Sequence, residues 1–229
     1  MKEHWHLDEE GTFEGLEEER SAFFALARRR ELAKNDIIFF EDDAGDTCFY
    51  LEKGLVKIFR IAPSGKEPIF FLRRAGELFG LAEVMVSERR KANAQALVPS
   101  VLYEIQRPDF DAFLAGHHRA ARRIISILGS RVRYLGEQVS NLMVCDVDKR
   151  LAKLLVHLAY EHLRSEDSWE QPVTISPSLT QEQLAAMTGS CQQTISELLK
   201  EYQDEGLLQV DRRHIVVLNP LKLLEKAEL

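Results

Sequence analysis

Short apolar runs rich in valine, isoleucine and phenylalanine recur between about Ile37 and Phe113, and turn signals such as the Pro-Ser-Gly at 63–65 separate them. Six such runs can be recognised, at 37–40, 49–51, 56–61, 68–72, 93–97 and 100–105. Apolar runs of this length at regular intervals are typical of a β-sandwich or a β-barrel. We therefore predict that this part of the chain folds as a β domain.

The hydrophobic period changes near His117, and from there to Cys145 apolar residues alternate steps of four and three. This heptad stripe predicts a long helix that either packs on its own β domain or pairs with a second copy. Its length and regularity favour pairing. We therefore predict a homodimer, and its helix contact uses Ile125, Leu128, Val132, Leu135, Val139 and Leu142.

A third unit follows Asp146, where the pattern predicts an amphipathic helix over 148–164, a polar linker and a short strand over 173–175. Beyond it, Thr180 with Gln183 forms a capping-box pattern, which marks the start of a helix.

Two further signals complete this motif. Gly189 suits the left-handed residue that ends a helix, and Ser190 with Gln193 predicts a second capping box that starts another helix at once. Gly206 ends that second helix. Two capped helices across a short glycine turn are the helix-turn-helix pattern, although any small helical domain also contains capped helices.

The second helix and the hairpin after it carry the groups that DNA recognition needs. Polar residues lie opposite the apolar ones on this helix, where they could meet base edges in the major groove. Apolar runs at 207–210 and 215–218 predict a β-hairpin with two arginines at its tip, which could contact phosphates. The predicted DNA-contacting residues are Ser178, Thr180, Gln181, Ser190, Gln192, Gln193, Ser196, Lys200, Arg212 and Arg213.

Composition limits the class of protein further. The 229 residues are 45% hydrophobic and 29% charged, which is ordinary for a globular protein. We find no membrane span and no secretory signal, and three scattered cysteines offer neither a disulfide framework nor a zinc motif, so we expect a cytoplasmic protein. The net charge of −7 argues against tight non-specific DNA binding but does not decide function.

The chain resembles the cyclic-AMP receptor protein / fumarate-nitrate regulator (Crp/Fnr) family of bacterial transcription regulators, most closely at 76–80, 141–147 and 189–207. The resemblance implies an α+β architecture in three parts. A double-stranded β-helix (jelly-roll) sensor would span 1–116, a dimerisation helix 117–145, and a winged helix-turn-helix 146–229. It also implies partners, namely double-stranded DNA with a pseudo-palindromic site, and RNA polymerase.

The chain departs from the cyclic-nucleotide binders of that family at the phosphate-binding segment. Gly80 is followed by Leu81 where those relatives have the ribose-binding glutamate. At the position of the triplet that binds the cyclic phosphate in those relatives, this chain has Arg90-Lys91-Ala92. A buried ribose hydroxyl without its acceptor would cost about 1–3 kcal/mol, so we do not expect cyclic AMP to be the effector. Arg90 and Lys91 still favour an anionic ligand. The predicted effector-binding residues are Gly80, Leu81, Arg90, Lys91, Ala92 and Leu135.

Other interpretations remain open at this point. Haem could bind through one of His4, His6, His117 and His118, whereas an iron–sulfur cluster would need four cysteines. The regulator could also work without any small effector. An enzyme on the same barrel, of the metal-dependent cupin type, would need histidines that residues 31–113 lack, so we predict that the protein is not an enzyme.

Two more expectations concern single residues. Relatives carry an arginine or glutamate near Gln192 and Gln193, and an arginine where this chain has Glu197, so we expect a different operator sequence. Cys48 or Cys145 could form a redox switch, although a free buried cysteine is usually a packing residue.

Overall fold

The computed structural model describes residues 11–160, 163, 169–177, 179–211 and 214–228. Ser178, Arg212, Arg213, His4 and His6 therefore lie outside the described residues. The chain divides into two compact units within one long helix, between Arg133 and Tyr134. The predicted three-part division of the domains stays a prediction. No helix in the described ranges is both long and apolar enough to cross a membrane.

The N-terminal unit is a sandwich of two antiparallel four-stranded sheets. Its strands are β1 (Arg28–Leu32), β2 (Ile37–Phe39), β3 (Thr47–Lys53), β4 (Leu55–Phe59), β5 (Ile69–Arg74), β6 (Leu78–Phe79), β7 (Asn93–Ala96) and β8 (Ser100–Gln106). One sheet has the order β1-β8-β3-β6 and the other β2-β7-β4-β5. This arrangement confirms the predicted β domain.

Helices cover this sandwich. They are α1 (Glu17–Leu26), α2 (Leu81–Val86), α3 (Arg107–Gly116) and the first part of α4 (His118–Val144). Because helices pack on its outer face, the central strand β3 is buried on both sides. Cys48 and Tyr50 face the helices, while Phe49 and Leu51 face the interior between the sheets.

The predicted β region extends too far at its end, because residues 107–116 form the helix α3. Pro108 fits here, since proline is tolerated in the first turn of a helix, where its missing N–H leaves no bond unmade. Phe110 and Phe113 are buried by this helix against the sandwich. The pattern also fails to predict α1, α2 and β1.

The C-terminal unit begins in the second half of α4 and continues with α5 (Val147–Ala159), β9 (Val173–Ile175), α6 (Gln181–Thr188), α7 (Gln192–Asp204), β10 (Leu208–Val210), β11 (Ile215–Val217) and α8 (Pro220–Glu228). Its strands form one antiparallel sheet in the order β10-β11-β9. The predicted long helix, short strand and hairpin are confirmed. The sequence pattern did not predict α8, whose Leu223 is fully buried.

The long helix α4 has two apolar faces. Ala120 and Ile124 are buried in the core of the N-terminal unit, and Leu128 packs against the same core. A second line of apolar side chains is exposed: Ile125, Val132, Leu135, Val139 and Leu142. Packing on its own β domain, one of the two alternatives drawn from the heptad stripe, therefore holds for one face, and pairing with a second copy stays a prediction. The helix packs on its own sandwich through one face and leaves the other uncovered.

Candidate functional site

Helix α6 begins with the predicted capping box. The Thr180 hydroxyl accepts a hydrogen bond from the Gln183 backbone at 3.1 Å, and the Gln183 side chain accepts one from the Thr180 backbone at 2.8 Å. Two N–H groups at the start of the helix are thus satisfied. Gly189 ends the helix with φ of 65°, in the left-handed region that suits glycine.

The predicted second capping box, with Ser190 as its first residue, is wrong. The residue that caps α7 is Cys191, whose side chain makes no capping hydrogen bond. Ser190 instead donates its backbone N–H to the carbonyl of Ala185 at 3.0 Å, which closes the end of α6. Because one residue after Gly189 is needed for this closing bond, the next helix starts one position later than predicted.

Cys191 is exposed at this turn. Its sulfur lies 3.2 Å from the hydroxyl of Thr194, and this hydrogen bond, helped by backbone N–H groups of the first turn, lowers the pKa of the thiol.

Helix α7 separates an apolar face from a polar one. Ile195, Leu199 and Tyr202 are buried in the C-terminal unit. On the opposite side lie the predicted base-reading residues, all exposed: Gln192, Gln193, Ser196 and Lys200. At the start of α6, Thr180 is exposed and Gln181 half-buried, and Ser190 is half-buried in the turn. The fold therefore presents a polar surface built mainly from one helix.

Two side chains whose role sequence reasoning missed hold this motif in place. The guanidinium of Arg150, on α5, donates to the carbonyl of Thr188 at 2.8 Å and to that of Cys145 at 2.7 Å, so it joins the end of α6 to the segment after α4. The Tyr202 hydroxyl donates to the carbonyl of Asp148 at 2.8 Å, and burial raises the pKa of this phenol. A basic residue in an amphipathic helix carries no sequence signal for such a role.

The predicted hairpin is present next to α7. The backbone N–H of Asp211 donates to the carbonyl of His214 at 3.0 Å, and its carboxylate accepts from the N–H of His214 at 2.7 Å, so these two residues close the turn. The side chain of Gln203, on α7, accepts from Val210 at 2.9 Å and ties the hairpin to that helix.

In the N-terminal unit, Arg90 is buried with 1% of its surface exposed. Its guanidinium donates to the carboxylate of Glu83 at 3.2 Å, to the carbonyl of Gly80 at 3.0 Å and to the carbonyl of Thr47. It also lies over the ring of Phe39, 4.4 Å from the centroid. Arg90 is thus already held by a carboxylate and two carbonyls of its own chain.

Of the other predicted effector-binding residues, Gly80 lies beside that guanidinium, since a Cβ there would be 3.0 Å from the nearest nitrogen of Arg90. The remaining four do not gather around it. Leu81 is buried in the core and Ala92 is half-buried. Lys91 points to solvent and pairs with Glu88 at 3.6 Å, while Leu135 is exposed on α4.

A second charged cluster, also missed from the sequence, lies in the same unit. Arg73 on β5 donates to the carboxylate of Glu77 at 3.1 Å, and Arg131 on α4 lies 3.7 Å from it. Arg131 also donates to the carbonyl of Leu78 at 2.6 Å. These contacts link the turn before β6 to the long helix.

Cys48 and His117 both pack against other parts of the N-terminal unit. Cys48 is fully buried, and desolvation raises the pKa of its thiol to about 12, so it stays protonated at neutral pH. Such a thiol is a poor nucleophile, which argues against Cys48 as a redox switch. His117 stacks on the ring of Phe113, 4.7 Å between centroids, and is hydrogen-bonded to the carbonyl of Phe113.

Comparison with known proteins identifies both halves. Residues 29–117 match the cyclic nucleotide-binding domain family, and residues 149–226 match the Crp-like helix-turn-helix domain family. The chain is 23% identical over 220 residues to the CRP-like cAMP-activated global transcriptional regulator of Mycobacterium tuberculosis, covering 95% of this chain and 96% of that one.

Two solved structures share the fold. FixK2 from Bradyrhizobium japonicum gives a TM-score of 0.75 at 18% identity, covering 87% of this chain and 96% of that chain. The c-di-GMP responsive global regulator CLP from Xanthomonas campestris gives 0.74 at 21% identity, covering 89% and 99%. Related proteins that match across both halves are transcriptional regulators and not enzymes, as predicted. The chain therefore belongs to the Crp/Fnr family of transcription regulators, with a cyclic-nucleotide-binding-type sandwich followed by a Crp-like helix-turn-helix domain.

Proposed function

We propose that this protein is a homodimeric, sequence-specific DNA-binding regulator that reads its operator with α7. The observation that carries the proposal is the geometry of this helix. It is buried on one side by Ile195, Leu199 and Tyr202, follows a tight glycine turn, and exposes a row of polar side chains on the other. Exposed donors and acceptors on a helix of this motif suit the edges of bases in the major groove.

We assign the base-reading role to the first turn of α7, at Gln192 and Gln193, with Ser196 and Lys200 further along. Contact with the sugar-phosphate backbone of the DNA is assigned to residues at the start of α6 and in the turn, namely Thr180, Gln181 and Ser190. We propose the same backbone role for Ser178, Arg212 and Arg213. RNA polymerase is the expected second partner, and the cytoplasm is the proposed location because both partners are there.

The second copy of the chain is proposed to cover the exposed apolar line on α4. Ile125 is 66% exposed, Val132 70% and Val139 55%. A contiguous exposed apolar surface of this kind marks an interaction site. The spacing of these residues supports pairing with an identical helix. We place Leu128 at the edge of this contact, since part of its side chain already packs on the sandwich. Two copies would present two α7 helices to a pseudo-palindromic site.

Selection of duplexes from a random library by the purified protein tests this proposal. We expect enrichment of a symmetric site whose half-sites lie about 10–10.5 base pairs apart, centre to centre, or a multiple of that spacing. Failure to enrich any sequence would overturn the proposal of sequence-specific binding. Enrichment of a single, unsymmetric half-site would overturn the proposed dimer on DNA.

For the sensor unit we propose a small anionic effector other than cyclic AMP. By their names, the mycobacterial relative is activated by cyclic AMP and the Xanthomonas protein responds to c-di-GMP. Both effectors are anionic. Arg90 is the residue best suited to such a charge, but it already contacts Glu83 at 3.2 Å. An effector must displace this carboxylate, and Leu81 offers no acceptor for a ribose hydroxyl.

The Arg90–Glu83 contact also favours a second candidate function, a regulator that needs no effector. Unfolding the protein in denaturant and refolding it would remove any bound ligand. An effector-independent regulator would bind the selected operator equally well before and after this treatment. Lost affinity that returns on adding the extracted small molecules would instead support the effector-controlled protein. Mass analysis of the extract under denaturing conditions would identify haem or a nucleotide directly.

A further inference from the structure

Gln193 and Glu197 form a hydrogen-bonded pair on the exposed side of α7. The side-chain nitrogen of Gln193 donates to the carboxylate of Glu197 at 3.1 Å, one helical turn further along. Both side chains are exposed on the surface that the proposed function assigns to base reading, and the inference below rests on that function.

The carboxylate fixes the orientation of the Gln193 amide. A glutamine amide has an oxygen that accepts and a nitrogen with two donor hydrogens, and without a partner it can present either end to DNA. A carboxylate can only accept. The amide must therefore turn its nitrogen towards Glu197 and its oxygen away, and one N–H of that nitrogen stays available beside the oxygen.

This orientation matches one base. Adenine presents a donor at N6 and an acceptor at N7 in the major groove, whereas guanine presents two acceptors, O6 and N7. A glutamine held with its oxygen and one N–H side by side can accept from N6 and donate to N7 of adenine. Towards guanine, its oxygen would face O6, and two acceptors repel each other. We propose that Glu197 is a positioning residue that makes Gln193 select adenine and reject guanine.

Glu197 could also act only through its negative charge, and this electrostatic role has to be distinguished from positioning of Gln193. On α7 the carboxylates of Glu197, Glu201 and Asp204 outnumber the single cation, Lys200. A carboxylate near the duplex weakens binding to any phosphate backbone, so removing one should tighten binding to every sequence. Removing a positioning residue should in contrast lower the discrimination between bases at a single position. The two effects have different readouts and can be measured together.

The test uses the full-length protein and the operator selected as described above, with each base pair replaced in turn. Dissociation constants are measured for the wild type, Gln193→Ala, Glu197→Ala, Glu197→Gln and a matched control, Glu201→Ala. Glu201 is exposed on the same helix one turn further along, so its replacement removes the same charge without touching Gln193. All exchanged side chains are exposed, and thermal melting checks that each variant is folded.

We expect the wild type to prefer adenine over guanine by about 5- to 150-fold at one base pair of each half-site, and Gln193→Ala to abolish this preference. Glu197→Ala should lower the adenine-to-guanine ratio at that same base pair by about 5-fold or more. Glu197→Gln should give an intermediate ratio, because a second amide can hold Gln193 in either orientation. Glu201→Ala should leave the ratio unchanged while tightening binding to all duplexes.

Two results would overturn the inference while leaving the proposed function in place. Glu197→Ala could change base preference at a different base pair from Gln193→Ala, which would mean that Glu197 reads a base itself. It could also change affinity for all duplexes uniformly, as Glu201→Ala does, which would reduce its role to charge. A wild type with no base preference anywhere would instead overturn the proposed sequence-specific function, so the two failures are distinguishable.

Discussion

The carboxylate of Glu83 lies 3.2 Å from the guanidinium of Arg90, which is almost completely buried between the sheets. Removing one partner of a buried ion pair leaves an uncompensated charge, at a cost of several kcal/mol. Because the Glu83 side chain is 16% exposed, we expect a loss at the lower end of that range, about 3 kcal/mol of unfolding free energy, for Glu83→Ala. Urea unfolding measures it. The control Glu88→Ala, which loses only the exposed contact with Lys91, should cost less than about 0.5 kcal/mol, and equal losses would contradict the buried pair.

The same variant should acquire an anion site. Without Glu83 the Arg90 guanidinium lacks its carboxylate partner, and a ligand that binds only the folded state raises stability in proportion to its occupancy. Inorganic phosphate or cyclic AMP should therefore raise the melting temperature of Glu83→Ala more than that of the wild type or Glu88→Ala. Identical shifts in all three proteins would mean that these anions bind elsewhere.

The raised pKa of the buried Cys48 thiol predicts that the stability of the protein depends on pH. Burial raises the pKa of its thiol from 9.0 to about 12, so above pH 9 the unfolded chain loses a proton that the folded protein keeps. Stability should then fall between about pH 9 and 12, by at most about 1.4 kcal/mol per pH unit from this group. Cys48→Ala should show a shallower fall between pH 8.5 and 10 in urea unfolding. Tyrosines also titrate in this range, but both proteins share them, so equal slopes would count against Cys48.

Sequence patterns predicted the elements whose signal is local. The capping box at Thr180 and Gln183, the glycine that ends α6, and the heptad stripe of α4 each depend on spacing within one element, and the structure has them. The central strand β3 was located from its apolar run, although the pattern could not tell that both of its faces are covered. That fact depends on where α1 and α3 pack, which is a tertiary property.

The elements and contacts that the sequence did not predict also depend on tertiary packing. The sequence of β1 is Arg-Arg-Arg-Glu-Leu, and its three arginines hide the strand pattern. Arg29 pairs with Glu31, and Arg30 pairs with Glu104 of the neighbouring strand β8. The start of α7 is shifted because Ser190 serves the end of α6 instead. The partners of Arg90 and Arg150 come from segments 5 to 43 residues away, and nothing in the spacing along the chain indicates those contacts.

The exposed line on α4 gives a prediction for assembly. Val132→Asp with Val139→Asp places two charges in the proposed helix contact, where desolvation would cost several kcal/mol per dimer. Sedimentation should then report a monomer. The matched control is Ser126→Asp with Ser140→Asp, two exposed positions of the same helix off the apolar line, which should leave the dimer intact. A dimeric double-valine variant, or a wild type that is monomeric at micromolar concentration, would contradict the assigned contact.

The hairpin arginines should position the protein on DNA without specifying sequence. Asp211 and His214 close the turn of this hairpin. An arginine between them would contact phosphates of the DNA backbone, which are the same for every base sequence. We expect Arg212→Ala to weaken binding to the operator and to a scrambled duplex by the same factor. Each lost phosphate contact should also reduce the slope of log affinity against log salt by about one unit. Titrations over a salt series measure both quantities.

The control Lys222→Ala, which removes an exposed cation from α8, should change neither the ratio of the two affinities nor the salt slope. Should Arg212→Ala alter base preference while the salt slope stays constant, the hairpin would have to read bases, and the assignment of recognition to α7 alone would be wrong.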